Sequence, residues 1–326
     1  MRKVLIKVPA KLILSGEHAV LYTGKAITCA IDRYMTLKIK PLKRNVIKVK
    51  GNGFKIKHKF KANIFLNQTF DNQLELEIIR RFFDFANLRP QGVNIVIKSK
   101  IPLNCGLGSS SAIISGILFG LNDIFEANIS RDDLVLLATK LEDICHGKSS
   151  GIDIVSAVFG GVISFNSGEY EKIPHSFNEI WCVNTGRANF NTKDVVKMVA
   201  TDGDRINDDV IDEFKKIADA LKHNIINNKN IDKLIVKNQQ LLDTLGVVPM
   251  KASGFIKKIL NYGIYGKVCG AGTIAKIDEN GGCGVIAIFQ KLSKLQIKLL
   301  KSLCKQNSWK LKKVNIANAG IEIEKV

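Results

Sequence analysis

Pro102-Leu103-Asn104-Cys105-Gly106-Leu107-Gly108-Ser109-Ser110-Ser111-Ala112 is a glycine-rich loop that leads from a strand-like run into a long apolar segment with helical character. Such a loop lets backbone N–H groups converge on an anion, and the helix N-terminus behind it adds partial positive charge. Three successive hydroxyls supply further donors or a metal ligand. The run is not a Walker A motif, because no Gly-Lys-[Ser/Thr] closes it, and it is not G-x-G-x-x-G. Taken alone, a tight turn whose serine caps the next helix explains it equally well.

Working outward, the chain before this loop is β-rich. Strand patterns run at Val4 to Val8, Ala26 to Ile39, Val46 to Lys50, Phe54 to Phe60 and Val93 to Lys98, and Leu74 to Phe85 reads as a helix. After it come three helices up to Phe159: one following Gly108, one from Ser130 to Cys145 that Gly147 ends, and a short one starting near Ser150. Gly160-Gly161 returns the chain to a strand, Val162 to Phe165. The remainder reads as a strand at Ile180 to Asn184, helices at Asp208 to Asn227, Ile231 to Leu245 and Ser253 to Leu260, and a hairpin of Gly266 to Cys269 with Gly284 to Phe289. A helix at Ser293 to Gln306 and a strand at Trp309 to Ile316 complete it. Helices interspersed with antiparallel strands predict an α+β fold rather than a doubly wound sheet. The 326 residues suit two domains. We expect residues 1–180 and 181–326, with Ala319 to Lys325 a candidate to return to the first domain.

Composition narrows the function. With 46% hydrophobic and 24% charged residues, and only six prolines, the chain is neither disordered nor of low complexity. The formal charge of +19 invites a nucleic-acid partner. That charge is uneven, at +15 for residues 1–100, −4 for 101–200 and +8 for 201–326. Much of the surplus lies between Tyr34 and Lys59, where lysines alternate with apolar residues. This is the pattern of a ribbon with one apolar and one solvated lysine face, a common guard against edge-to-edge pairing. No run is long enough to span a membrane and no leader is visible, so a soluble, cytoplasmic protein is expected. Seven scattered cysteines without C-x2-C spacing argue for reduced core thiols rather than disulfides or zinc.

Two further constellations could carry chemistry. In Glu142-Asp143-Ile144-Cys145-His146-Gly147-Lys148-Ser149-Ser150-Gly151-Ile152-Asp153, Glu142 falls within the apolar arc formed by Leu134, Val135, Leu137, Ala138, Leu141, Ile144 and Cys145. A carboxylate there needs a cation or a basic partner, or an i,i+4 hydrogen bond to His146. Asp153 closes a possible capping box with Ser150, so it reads as either a functional or a capping carboxylate. The other constellation is Pro9-Ala10-Lys11-Leu12-Ile13-Leu14-Ser15-Gly16-Glu17-His18-Ala19-Val20-Leu21-Tyr22, with Lys11, Glu17 and His18 set among apolar residues.

In order and combination, these blocks together with Gly270-Ala271-Gly272 resemble the GHMP kinases, most closely the mevalonate kinase branch. Gly16-Glu17-His18-Ala19-Val20 lacks the Asp-Tyr that follows in galactokinases, and the block from His146 to Asp153 has the mevalonate kinase form, with Ser149 where proline is usual. The resemblance implies an S5-like N-terminal ATP-binding domain joined to a ferredoxin-like C-terminal domain, and ATP-dependent phosphorylation of the mevalonate 5-hydroxyl between them, a step of isoprenoid precursor synthesis. By the same resemblance, Asn104, Gly106, Leu107, Gly108, Ser109, Ser110 and Ser111 would hold the ATP phosphates. Ser110 and Glu142 would hold Mg²⁺. Asp153 would be the catalytic base with Lys11 beside it, and Glu17, His18 and Thr192 would bind the substrate.

One departure matters. The compact Gly-Ala-Gly-Gly-Gly-Gly-Cys of the branch is here split, running from Gly270 to Gly284 around a polar Lys276 to Asn280 segment that reads as a longer hairpin tip. Phosphomevalonate kinase or another small-alcohol kinase therefore stands as the alternative, for which Arg187 is the one visible extra cation. A non-catalytic basic nucleic-acid binder is the reading from another class, and the joint presence of Lys11, Ser110, Glu142 and Asp153 argues against it. The sequence leaves the assembly open, with a homodimer as candidate.

Overall fold

The computed structural model describes the chain except residues 1–2, 53–56, 63–69, 71–72, 148, 178, 202–205, 280 and 326, and the side chains of Asn52, Lys57, Cys145 and His146. In chain order the first half contains β1 (Val4–Ser15), α1 (Val20–Thr23), β2 (Lys25–Pro41), β3 (Val46–Asn52), β4 (Lys57–Lys61), α2 (Leu74–Phe85), β5 (Val93–Ser99), α3 (Ser109–Phe125), α4 (Arg131–His146), α5 (Ile152–Phe159), β6 (Val162–Asn166) and β7 (Glu169–Ile173). The second half contains β8 (Glu179–Gly186), α6 (Thr192–Thr201), α7 (Asp208–Ile226), α8 (Asp232–Thr244), α9 (Met250–Leu260), β9 (Gly266–Cys269), β10 (Gly284–Ile288), α10 (Lys294–Gln306), β11 (Lys310–Asn315) and β12 (Glu322–Lys325). The mixture is the expected α+β class, built on two sheets.

The first sheet runs β12-β1-β2-β5-β3-β4, with β6 and β7 branching from β2. The long β2 makes this possible: Lys25 to Cys29 pair with β6, while Met35 to Pro41 pair with β5 along the same edge. All pairings are antiparallel except β3 with β5. The strand expected to stop at Val8 continues to Ser15. Pairing with β2 shifts register between Pro9 and Ala10, and a bulge is where a proline without an N–H is accommodated in a strand. That extension carries Lys11 into the interior.

Helix α3 lies across β1 and β2 and touches α2, α4 and α5. Every residue from Ser111 to Leu121 is buried, which explains its unbroken apolar composition. A side chain at Gly116 would run into Leu37, and one at Gly120 into Ile39 and Ile6. Small residues four apart thus set how closely the helix approaches the sheet.

The second sheet, β11-β8-β10-β9, is antiparallel throughout. Its strands alternate in the way a sheet buried on both faces requires. Ile180, Cys182, Val285 and Ala287 join the large core shared with the first sheet. Trp181, Val183, Ile286 and Ile288 face a second core with Phe255 and Ile259 of α9 and Leu300 and Leu303 of α10. A division between 180 and 181 would cut through β8, which belongs entirely to the second sheet, and β12 returns to pair with β1, Val4 opposite Lys325.

The alternating lysines behave as a solvated face: Lys38, Lys40, Lys48 and Lys50 are exposed while Leu37, Ile39, Ile47 and Val49 are buried. The start of the Phe54 to Phe60 run lies outside the described residues. Cys29, Cys105, Cys182, Cys269, Cys283 and Cys304 are free thiols and buried. Among the described residues no helix is long and apolar enough to cross a membrane.

Candidate active site

Where the two sheets approach, a cavity of about 330 Å³ opens. It is bordered by Lys11, Glu17, His18, Asn104, Gly106, Leu107, Gly108, Ser109, Ser110, Glu142, Asp153 and Thr192, so that residues far apart in sequence are gathered around one space. None of the β2 and β3 lysines borders it, nor does Arg187.

The floor is the loop before α3. Gly106 and Gly108 have positive φ, 73° and 72°, and Gly108 is the N-cap of α3 with no side chain capping the helix. The first intrahelical bond runs from the Ala112 N–H to the Gly108 carbonyl, so the N–H groups of Ser109, Ser110 and Ser111 lie in the turn where a helix lacks internal acceptors. The capping explanation for these serines is therefore not realised, and an anion-receptive helix terminus is left. Gly106 also lets this loop meet the second sheet, since a Cβ there would strike the Cys269 carbonyl. The Leu107 carbonyl accepts from the Lys11 N–H at 3.1 Å, which ties the loop to β1.

Lys11 and Asp153 form an ion pair at 2.8 Å, with side-chain exposures of 4% and 21%. Asp153 sits in the first turn of α5, whose N-cap is Gly151 at φ 81° with no side-chain cap. The capping box anticipated as an alternative is thus absent, and the helix terminus adds a field that favours a carboxylate. Glu142, on α4, is 1% exposed. Its Oε1 accepts from the Ser111 hydroxyl and its Oε2 from the Ser149 hydroxyl at 2.6 Å. The alternative partner, the His146 side chain, lies outside those described. Burial, then the negative charge of Asp153, push the Glu142 carboxyl up to about 7, against the two hydroxyls and Lys11.

One lysine thus serves two carboxylates, an arrangement with room for another positive charge. A carboxylate and a neighbouring serine hydroxyl, Ser110, suit a hard divalent cation. Among the described residues no group of three or more His, Cys, Asp or Glu side chains could hold a metal by themselves.

Three expected residues sit differently from a simple lining role. Ser111 is fully buried behind the cavity, where its hydroxyl supports Glu142. The Glu17 carboxylate has no exposed surface and is held by Lys267 and by the Asn238 amide at 3.2 Å. His18 is 2% exposed and donates from Nε2 to the Ala271 carbonyl at 2.9 Å, which assigns the tautomer. Burial lowers its pKa, against the Ala271 bond and the Glu17 charge. Thr192 opens α6, whose first turn is capped by Asn191 Oδ1 accepting from the Asp194 N–H at 2.9 Å.

Lys267 was missed from sequence. It is wholly buried, and besides Glu17 its Nζ donates to the carbonyls of Ile13 at 3.1 Å and Val268 at 2.8 Å, satisfying its three donors. The only signal was a charged residue within the short apolar strand Gly266-Lys267-Val268-Cys269. Gly270, Ala271, Gly272 and Cys283 border the cavity.

Residues 73–161 match the GHMP kinases N terminal domain family. The mevalonate kinase of Methanocaldococcus jannaschii is 30% identical over 315 residues, which cover 93% of this chain and 97% of that protein. The crystal structure of the Methanococcus jannaschii mevalonate kinase superposes with a TM-score of 0.79 at 26% identity, covering 96% of this chain and 98% of that one. The L. major mevalonate kinase in complex with R-mevalonate shares the fold, with a TM-score of 0.73 at 19% identity, covering 96% of each chain. A glycine loop opening an uncapped helix, a Lys–Asp pair and a buried glutamate around one cavity, on a chain that matches such a kinase almost end to end, make this protein a member of the GHMP kinase family.

Proposed function

We propose that this chain transfers the γ-phosphoryl group of ATP to the 5-hydroxyl of mevalonate. The observation that carries the reading is the Lys11–Asp153 pair at 2.8 Å, set in one cavity with the uncapped N-terminus of α3. Asp153 would orient the acceptor hydroxyl and take up its proton at the carboxylate oxygen not engaged by Lys11. Lys11 holds that carboxylate in place and offsets charge that builds on the transferring group. The N–H groups of Ser109 to Ser111 would bind phosphate oxygens, with Asn104, Gly106, Leu107 and Gly108 shaping the cradle. Phosphoryl transfer is driven mainly by such positioning and charge stabilisation.

Glu142 and Ser110 fit Mg²⁺ by the chemistry of their oxygens and would hold it. The chemistry such an ion would supply there is positive charge to offset that of the phosphate oxygens. His18 and Thr192, which border the cavity, would bind mevalonate, and Glu17 would act by holding the second sheet in place through Lys267.

A coupled ADP-release assay across mevalonate, phosphomevalonate, galactose and homoserine tests the reading. Turnover on mevalonate above the other three is expected. Turnover on phosphomevalonate with none on mevalonate would overturn it.

A further inference from the structure

We propose that Ser149 is a positioning residue for the metal site: its side chain aims the Glu142 carboxylate and couples it to the turn that carries Asp153. The inference rests on the assignment of Glu142 to the cation. Ser149 stands where the resembling motif has proline, and here it makes three hydrogen bonds that proline could not. Its hydroxyl donates to Glu142 Oε2 at 2.6 Å. Ser149 Oγ also accepts from the Gly151 N–H at 3.1 Å. Its own N–H donates to Asp143 Oδ1 at 2.7 Å.

A serine hydroxyl has one proton and two lone pairs. The Gly151 N–H occupies an acceptor direction, and the proton goes to Glu142, so the hydroxyl has a fixed orientation. Ser111, on α3, holds the other Glu142 oxygen. The carboxylate is thereby clamped from two elements, and each of its oxygens has a second acceptor direction that could take a cation. Gly151 is the N-cap of α5, two residues before Asp153. The hydroxyl therefore joins the candidate metal ligand and the candidate base through a single atom. Proline would stiffen this turn by its ring alone; this chain stiffens it with hydrogen bonds that terminate on the ligand itself. Partners that hydrogen-bond a metal-ligating group orient it, and their loss weakens metal affinity by about 10–100-fold.

The test uses the full chain with a non-hydrolysable ATP analogue, titrated with Mn²⁺ while unbound Mn²⁺ is counted by electron paramagnetic resonance. Ser149→Ala should weaken Mn²⁺ binding by about 10-fold or more, while Ser149→Thr, which keeps the hydroxyl, should recover most of the loss at an unchanged melting temperature. Wild-type affinity in Ser149→Ala, or equal weakness in Ser149→Thr, would overturn the proposal. Glu142→Gln separates the two layers. If it weakens Mn²⁺ binding and Ser149→Ala does not, only the positioning role falls; if neither does, the metal assignment of Glu142 falls with it.

Discussion

Lys11 is the residue on which the electrostatics of the cavity turn, because Asp153 and Glu142 both feel its charge. Replacing Asp153 by Asn keeps the shape of the side chain but removes the proton acceptor and half of the ion pair. Asp153→Asn should therefore lower kcat by about 10²–10⁴, the range of general acid–base assistance. ATP affinity should stay nearly intact, since the phosphate cradle on α3 is built from other groups. Nucleotide titration beside steady-state kinetics checks this, and an equal loss of ATP binding would contradict the assignment. His18 carries a second expectation. Well above pH of about 6.5 its ring is neutral in both folded and unfolded chains and contributes no pH dependence. Below that, the unfolded chain takes up a proton that the buried ring, its pKa lowered, resists, so stability falls as pH falls towards the folded-state pKa. Urea unfolding between pH 7.5 and pH 5 should show a steeper loss for the native chain than for His18→Gln, which keeps a donor for the Ala271 carbonyl; parallel curves would remove His18 as the cause.

At the level of elements, legibility followed the width of the buried face. Helices α2, α7 and α8 show long apolar periodicities, and their sequence boundaries agree with the structure to within a few residues; the largely apolar α3 starts after Gly108 as expected. Helix α6 was not anticipated because it buries only Val195 and Val199, one turn apart, and β7 because only Ile173 of its five residues is buried. The connection between β9 and β10, expected as a longer hairpin tip, is docked. The Thr273 N–H donates to the Val247 carbonyl at 2.9 Å, the Ala275 N–H to Gly246 at 3.1 Å, and the Lys251 N–H to the Glu279 carbonyl at 3.2 Å. Asp278 accepts from Thr273 at 3.2 Å and from Asn189 at 2.9 Å. Polar residues in sequence cannot distinguish a solvated tip from one whose partners arrive with a distant helix; Asn280 itself lies outside the described residues. The site shows the same division. Lys11, Glu142 and Asp153 were visible as charges misplaced among apolar residues or as parts of motifs. The supporting role of Ser111 depends on α3 and α4 packing side by side, and that of Ser149 on the turn after α4 folding back onto Glu142, which no local pattern encodes.

For the whole molecule, the question is whether the two sheets behave as one body. The large core runs through both, and the polar links across the joint include Lys267 of β9 to Glu17 after β1 and His18 to the Ala271 carbonyl. Lys267 and Glu17 have no exposed side-chain surface, so each has exchanged water for the other. A buried pair adds little over a well-packed neutral substitute, but removing one member strands the other charge, at a cost of about 3–5 kcal/mol. Lys267→Met should therefore be strongly destabilising, whereas Glu17→Gln combined with Lys267→Met should recover much of that loss, because no unpaired charge remains. The chain carries its own reporters: both tryptophans, Trp181 in β8 and Trp309 beside β11, lie in the second sheet's body. Their fluorescence follows that half, while far-ultraviolet circular dichroism follows the whole chain. In the native protein the two transitions should coincide, as expected of a single cooperative unit. In Lys267→Met the midpoint should fall, and the double variant should move it back. A single variant that loses under about 1 kcal/mol, or a double variant no more stable than Lys267→Met, would show that this pair is not what joins the halves of the site.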